Sequence, residues 1–560
     1  MGNLLGSLYI GSKSLAAQLA AMRVIGHNIA NANTEGYTRQ ELILQTSIPD
    51  MSPVGPIGSG VEAAAIRRMR DSFVEARLRT GMETLARWEK KYEVLSDLEV
   101  VFAEPTDDGL SAAMTEFWNR WRDLAGNPEE HGLRASVIEQ GATLANTFQY
   151  VYNDLRQLRE NLDESLSLSV MQANTYIRQI AALNEQIVSA ELSGDVAPDL
   201  RDQRQLLVQE LSTIMDVDID DSEAANLCVR SHGERVVDGP HYMQLELQYN
   251  VDTQMQDVRW AGTQAPLTVE GGSLYSILEG RDTIVPAYMD DLSQLAQDLI
   301  LAVNRVHSSG RGSIDFSAIT SLCGVNNTAV SLANIAETGL AVAPTSGSFQ
   351  IIVTDSSGQA QTTTISVLDG VTDSLDALAL RINSLDHISA TISEGKLTVS
   401  AESGYTFGFA NDTSSVLAAL GINTFFSGSG ADDISVAPGV AADARLVAAG
   451  LSLDAGDGDN ASAIAELEYS LTVGSGRWSF SDFYRDMVTG LGVSVQETGR
   501  FVAGQENVVN QIADRRASIS GVSVDEEAAN IIKYQRAYEA SAQFIAAVNE
   551  MIEYMLLQMM

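Results

Sequence analysis

The sequence predicts an α+β multidomain protein. A discontinuous bundle or coiled-coil rod of long helices is formed by the N- and C-terminal segments, with β-rich outer domains inserted between them. Three observations predict it. Apolar residues near both ends recur at alternating spacings of three and four, the pattern of helices that bury one narrow seam. From about Gly310 to Asp459 the chain turns rich in Ser, Thr, Gly, Ala and Asp, with short alternating runs bounded by turn residues. Its 560 residues also exceed what one ordinary core accommodates.

The first helix is read from Leu8, Leu15, Met22 and Ile29, with Leu5, Leu19 and the small Ser12 and Gly26 between them. It ends where Asn28, Asn31, Asn33 and Gly36 cluster, because Asn and Gly tolerate the left-handed backbone of a helix end and turn. His27 beside that turn reads as a capping or packing residue. A second helix follows Leu85, Trp88, Tyr92, Leu95 and Phe102 and stops at Pro105. Phe117, Trp118 and Trp121 read as a buried aromatic cluster. A third stripe runs through Val137, Gly141, Leu144, Phe148, Val151, Leu155, Leu158 and Leu162 and continues through Ile177, Ile180 and Ile187; carried by one helix it would be about 90 Å long. A fourth stripe runs from Val285 to Val306.

Short β-like runs lie in Asp216–Trp260 (Val217–Ile219, Arg235–Val237) and farther on (Phe349–Val353, Lys396–Val399). Helical spacing returns after Asn460 through Phe480, Phe483, Met487, Phe501, Val508 and Ile512. Ser523 with Glu526 three residues later has the form of a capping box opening a last helix. Its stripe is Ile531, Tyr534, Tyr538, Ile545, Val548, Ile552 and Met555. An isolated amphipathic helix is marginal in water, so the two ends are expected to meet and to order on assembly. The expected domains are 1–60 with 520–560, 61–215 with 461–519, a β-rich segment with a returning helix at 216–310, and a variable outer β domain at 311–460.

With 35 Lys+Arg against 74 Asp+Glu the net charge is −39, which excludes nucleic acid and anionic bilayers as partners. Two cysteines, Cys228 and Cys323, offer no disulfide framework and no metal spacing. The opening residues lack a basic region before a long apolar core, and Gly6 breaks the myristoylation pattern. No apolar run reaches membrane-spanning length. By these rules alone the chain reads as a soluble cytosolic protein. Asp454, Asp457, Asp459 and Asn460 read as a solvated acidic turn, because Ala461 and Ser462 stand where a calcium loop needs a ligand and a glycine. The six histidines form no HExxH, and no P-loop, GxGxxG or GxSxG occurs. No catalytic, cofactor-binding or metal-binding residue is assigned, and an enzyme is not expected.

Asn28–Gln40, NIANANTEGYTRQ, resembles the N-terminal signature of the bacterial flagellar axial proteins of rod, hook and hook-associated type. Val522–Met551, VSVDEEAANIIKYQRAYEASAQFIAAVNEM, resembles the C-terminal signature of the same family. Glu116–Glu130, Pro198–Ser212 and Gly458–Leu467 are similar to segments of its hook–filament junction branch. Glu35 stands where these signatures often have Pro. The resemblance covers roughly the first 310 and last 100 residues, and 311–457 carry none.

It implies a structural adaptor between hook and filament, exported by the flagellar type III apparatus without a cleaved signal peptide and therefore secreted. Subunit packing would involve Leu8, Leu15, Leu19, Met22, Ile29, Ile531, Tyr534, Tyr538, Ile545, Val548 and Ile552. The turn Asn28, Asn31, Asn33, Gly36 and Tyr37 would set how the terminal helix leaves the rod. An export chaperone would shield Ile531, Tyr538, Ile545, Val548 and Ile552. The implied partners are further copies in a ring, the hook protein, a filament-side junction protein, the chaperone and the export apparatus, with no membrane insertion. The alternatives are a hook or rod subunit, or a secreted protein whose outer domain carries an enzymatic or adhesive activity.

Overall fold

A computed structural model of the chain describes residues 2–52, 55–102, 109–192, 194, 196–220, 225–367, 373–452, 454–474 and 476–559. Helix α1 (Gly2–Ala30) leads into strands β1 (Gln40–Thr46), β2 (Asp50–Ser52), β3 (Gly55–Ile57) and β4 (Val61–Arg68). Helices α2 (Ser72–Phe102), α3 (Leu110–Gly126), α4 (His131–Glu191) and α5 (Pro198–Ile214) follow. Next come β5 (Asp218–Asp220), β6 (Cys228–Ser231), β7 (Glu234–Asp238), β8 (His241–Tyr242), β9 (Leu245–Asn250) and β10 (Met255–Trp260). Helix α6 (Gly272–Glu279) continues through a π-helical turn, Gly280–Ile284, into α7 (Val285–Ser308).

The outer region holds β11 (Ala318–Thr320), α8 (Ile335–Thr338), β12 (Gly347–Asp355), β13 (Ala360–Val367), α9 (Leu375–Ile382) and β14 (Ile388–Ser393). It goes on through β15 (Lys396–Ala401), β16 (Tyr405–Ala410), α10 (Val416–Leu420), β17 (Phe426–Ser427), β18 (Ser435–Val436) and α11 (Pro438–Ala442). Helices α12 (Asp459–Glu466), α13 (Phe480–Ser520) and α14 (Val524–Met559) close the chain. The expected class is met: long helices at both ends, β structure between. The stripe from Val137 to Ile187 is carried by one helix, the 61-residue α4. Helix α2 ends at Phe102, and Pro105 lies outside the described residues.

The chain divides into two compact units. The first takes Met1–Val94, Asn161–Gly280 and Gln496–Met560; the second takes Leu95–Glu160 and Arg281–Val495. In the first, Leu166, Val170, Ala173, Ile177 and Ile180 of α4 and Val208 and Leu211 of α5 share a core with Val229, Val236, Val237 and Trp260. Buried Asn184 satisfies the sheet's loops, donating to the Leu227 and Gly239 carbonyls at 3.1 and 2.8 Å and accepting from Arg204. Trp88 of α2 stacks on Phe501 of α13 with ring centroids 4.8 Å apart.

The second unit is organised by the predicted aromatic cluster: Phe117, Trp118 and Trp121 are each fully buried. Phe117 lies 5.5 Å from Phe426, Trp121 5.2 Å from Phe425, and Trp118 5.8 Å from Phe480, all between ring centroids. Two antiparallel three-stranded sheets, in order β13-β12-β16 and β11-β15-β14, carry the outer core. Phe349, Ile351, Phe407 and Phe409 meet Leu397 and Val399 there, under α9 and α10. The acidic turn is only partly solvated. Asp457 accepts the N–H groups of Leu451 and Ser452 at 2.9 and 2.7 Å. Asn460 is buried and donates to the Ala448 carbonyl at 2.7 Å, a correction to its reading as a surface residue.

His307 is fully enclosed in this unit. Its Nδ1–H donates to the Asn423 carbonyl at 2.8 Å, and Nε2 accepts the Ala448 N–H at 3.0 Å, so the neutral ring is the one the site fits. Burial depresses its pKa to about 4. The folded state therefore binds fewer protons than the unfolded chain between pH 6.5 and 4. Stability from this group is complete above that window and is lost as pH falls through it, by up to about 3 kcal/mol. Urea unfolding followed from pH 7 to pH 4 should show that loss, and His307→Gln should remove this component of the slope.

Candidate assembly interface at the chain ends

Helices α1 and α14 pack antiparallel within one chain. A Cβ at Gly11 would stand 2.5 Å from Cγ1 of Ile545, and the hydroxyls of Ser14 and Ser541 are 2.8 Å apart. Further along, Ala21, Val24 and Ile25 line a cleft of about 310 Å³ with Asn530 and Tyr534. Burial on α1 falls on Gly11, Ala17, Ala21, Val24, Ile25 and Asn28. The stripe read from the sequence lies on the flank of this face: Leu8, Leu15, Met22 and Ile29 are half-buried and Leu19 is exposed. Small side chains explain the shift, because glycine and alanine let the backbones approach where leucine would hold them apart.

On α14 the sequence stripe does turn toward the packed side. Val548 is buried, Ile531, Tyr534, Ile545 and Ile552 are half-buried, and Tyr538 is exposed. Both helices keep apolar side chains exposed, among them Leu5, Tyr9, Ile532, Met551, Tyr554 and Leu557.

The asparagine-rich turn brings together the segments that the sequence marked separately. Asn28 is buried and clasps the start of β1. Its Nδ2 donates to the Gln40 carbonyl at 2.9 Å, and its Oδ1 accepts the Gln40 N–H at 3.0 Å and the Tyr37 hydroxyl at 2.8 Å. Asn31 caps the helix end, donating to the His27 carbonyl at 3.0 Å. Asn33 is exposed. Gly36 takes φ +77°, and a Cβ there would press on Leu206 of α5 at 3.3 Å. His27 packs edge-on to Tyr37, as a packing residue.

The next residues carry the bracing. The Thr38 N–H donates to Asp202 Oδ2 at 2.9 Å, and Arg68 at the end of β4 reaches Asp202 Oδ1 at 2.8 Å. Arg39 sits at the corner where α13 ends and α14 begins. Its backbone N–H donates to the Ser520 carbonyl at 2.9 Å, and its guanidinium reaches Glu527 at 2.7 Å and Glu526 at 2.9 Å. The Ser523 hydroxyl accepts the Glu526 N–H at 3.4 Å, so the hydroxyl half of the capping box forms while the Glu526 carboxylate goes to Arg39. Arg516 meets buried Glu75 at 2.8 Å, tying the start of α2 to the end of α13.

Burial dominates the electrostatics here. It pushes the Asp202 carboxyl up and the Arg68 guanidinium down, against the ion pair that joins them. Burial raises the Tyr37 phenol well above its usual range, helped by the nearby carboxylates of Asp199, Asp202 and Glu527. Sequence reasoning missed Arg39, Arg68, Asp202 and Glu527. Arg39, Asp202 and Glu527 sit inside the very segments that carried the resemblance, whereas Arg68 lies outside them.

A cavity of about 480 Å³ lies in the second unit beside α7. Ile300, Leu301, Leu322, Leu340, Ala419 and Phe426 line it, and its lining includes no carboxylate, histidine or lysine. Asn304 is the buried amide there, and it is spent on the backbone of Phe425 and Phe426.

Asp202→Ala would leave Arg68 buried and unpaired, which costs about 3–5 kcal/mol. Chemical denaturation should register that loss. Hydrogen exchange should speed up first at residues 36–40 and at the α13–α14 corner.

Known proteins resemble this chain. A family model described as Flagellar hook-associated protein FlgK helical domain matches residues 95–315. Two more, described as Flagella basal body rod protein and Flagellar basal body rod FlgEFG protein C-terminal, match 8–38 and 515–559. Flagellar hook-associated protein 1 of Bacillus subtilis is 26% identical, over 97% of this chain and 96% of its own. The Escherichia coli protein of that name is 28% identical, over 96% and 97%. These alignments extend through the outer region, where short motifs alone carried no resemblance. The solved structure of the flagellar hook junction protein FlgK from Burkholderia pseudomallei shares the fold, with TM-score 0.53 at 17% identity, over 80% of this chain and all of that one. Nearly full-length relatives and family models at both ends and in the helical region agree: over nearly its whole length this chain is similar to flagellar hook-associated protein 1.

Proposed function

We propose that this chain is the structural adaptor between flagellar hook and filament, exported through the flagellar type III apparatus and assembled outside the cell as a ring of copies. One observation carries the reading: the antiparallel α1–α14 pair is braced at its inner end by the 28–40 turn, yet keeps apolar side chains uncovered along both helices. A protein finished as a monomer has little use for such surface, whereas a subunit needs it. Residues 1–60 with 520–560 form the axial domain that meets hook protein on one side and a filament-side junction protein on the other. Residues 61–215 with 461–519 carry the supporting helices, 216–310 a β-rich segment with a returning helix, and 311–460 the outward domain.

A dedicated export chaperone fits the same chain ends. Ile531, Tyr538, Ile545, Val548 and Ile552 form the α14 stripe, and α1 occupies much of it in the folded chain. The chaperone therefore reads α14 before α1 docks, by laying the helix in a groove. An enzymatic reading gains nothing from the 480 Å³ cavity beside α7, whose lining lacks an acid–base pair.

Deleting residues 531–560 should leave cells with hooks that lack filaments and shed flagellin, while the second unit of the purified chain keeps its wild-type unfolding transition. Filaments formed normally by the truncated chain would refute the role.

A further inference from the structure

The free faces of α1 and α14 differ in charge, and that difference identifies what covers them. In a protein of net charge −39, α1 carries Lys13, Arg23 and no carboxylate. Helix α14 carries six carboxylates against Lys533 and Arg536. Lys13 is engaged at home, 3.6 Å from Glu62 and 3.0 Å from the Ser47 hydroxyl. Arg23 is exposed and makes no ion pair among the described residues.

Helical spacing groups Arg23 with Leu5, Ser12, Ala16 and Leu19, all exposed, on the side of α1 opposite Ala17, Ala21, Val24 and Asn28. This seam is apolar or small throughout, with one cation. On α14 the same geometry groups Ile532, Gln543, Ala547, Glu550 and Tyr554, all exposed, on the side opposite Ser541, Ile545 and Val548. Arg536 lies on that seam too, paired with Glu539 at 3.0 Å, which leaves Glu550 as an anion that makes no ion pair among the described residues.

We infer that the outer seam of α1 in one copy receives the outer seam of α14 from a second copy, with Arg23 facing the Glu550 region. This rests on the assembly role proposed above and specifies its contact. The pairing repeats between copies the kind of contact that α1 and α14 make within the chain, cationic helix on anionic helix through small residues. Two α14 seams would instead bring like charges together, which costs affinity and disfavours that register. Because the two surfaces differ, the contact is heterologous: each copy offers a donor seam and an acceptor seam, so the array extends or closes into a ring rather than stopping at a dimer.

The test replaces the chromosomal copy and scores hooks that bear filaments by electron microscopy. Arg23→Glu and Glu550→Arg should each cut that fraction roughly tenfold, the size expected for placing like charges across an interface. The double variant R23E/E550R should recover most of it. Restoration within one chain is diagnostic, because the two side chains lie on opposite outer faces of their own helix pair. Both sites are exposed, so circular dichroism of each purified variant should match wild type.

A second readout places Ala16→Cys and Ala547→Cys in one chain with Cys228 and Cys323 changed to Ser. Oxidation of purified hooks should then yield ladders of crosslinked copies. Assembly unaffected by either charge reversal, a double variant no better than the singles, or crosslinks from Ala16→Cys alone would overturn the inference. A wild-type chain missing from the hook end would defeat the adaptor role itself, whereas one present there but forming no ladders would defeat this contact only.

Discussion

The arrangement of the chain ends depends on how residues 28–40 are held. Asn28 uses both atoms of its amide on Gln40, making a helix side chain serve as the hydrogen-bond partner of a strand. Each buried polar group there that lost its partner would cost about 1–3 kcal/mol, so the turn has one low-energy geometry. That geometry delivers Arg39 to the α13–α14 corner. There one residue caps the last carbonyl of α13 through its backbone and neutralises two carboxylates in the first turn of α14 through its side chain. Carboxylates at a helix N-terminus are already favoured by the helix dipole, and the guanidinium adds to that. The start of the chain thus fixes the direction in which its end departs.

The remaining bracing transmits this constraint through the first unit. Asp202 of α5 receives Thr38 and Arg68, and Arg516 of α13 receives Glu75 of α2. A buried ion pair adds little net stability over an apolar substitute, but breaking one is expensive, so such pairs act chiefly as registration devices. Registration is what a subunit needs when small offsets at its ends are multiplied across an assembly. The packed faces of α1 and α14 serve the same purpose. Gly11 makes room for the Ile545 side chain, and the Ser14 and Ser541 hydroxyls meet directly, so the two helices interlock in one register.

Much of this was legible in the sequence, and its gaps have physical causes. The stripe from Val137 to Ile187 announced α4 because a 61-residue helix cannot hide its period. Phe117, Trp118 and Trp121 announced a core by size alone. The α1 stripe was read on the flank of the face that packs on α14, because leucines at seven-residue spacing outweigh alanines to the eye, although helix pairs that approach closely select the alanines. The bracing pairs were hidden because Arg39 and Glu527, or Arg68 and Asp202, lie far apart in sequence, and no local pattern links a charge to a distant partner. Asn460 shows a related limit: amid acidic turn residues it read as solvated, and only the fold reveals the Ala448 carbonyl it serves.

The central claim is that each copy docks its own first helix on its own last one and presents that pair, already registered, to its neighbours. The most direct measurement exploits the 2.8 Å separation of the Ser14 and Ser541 hydroxyls. Cysteines at both positions, with Cys228 and Cys323 replaced by serine, should close a crosslink within a single purified chain, and the locked chain should still join hooks to filaments. Crosslinks found only between different chains, or a locked chain that no longer assembles, would contradict the account.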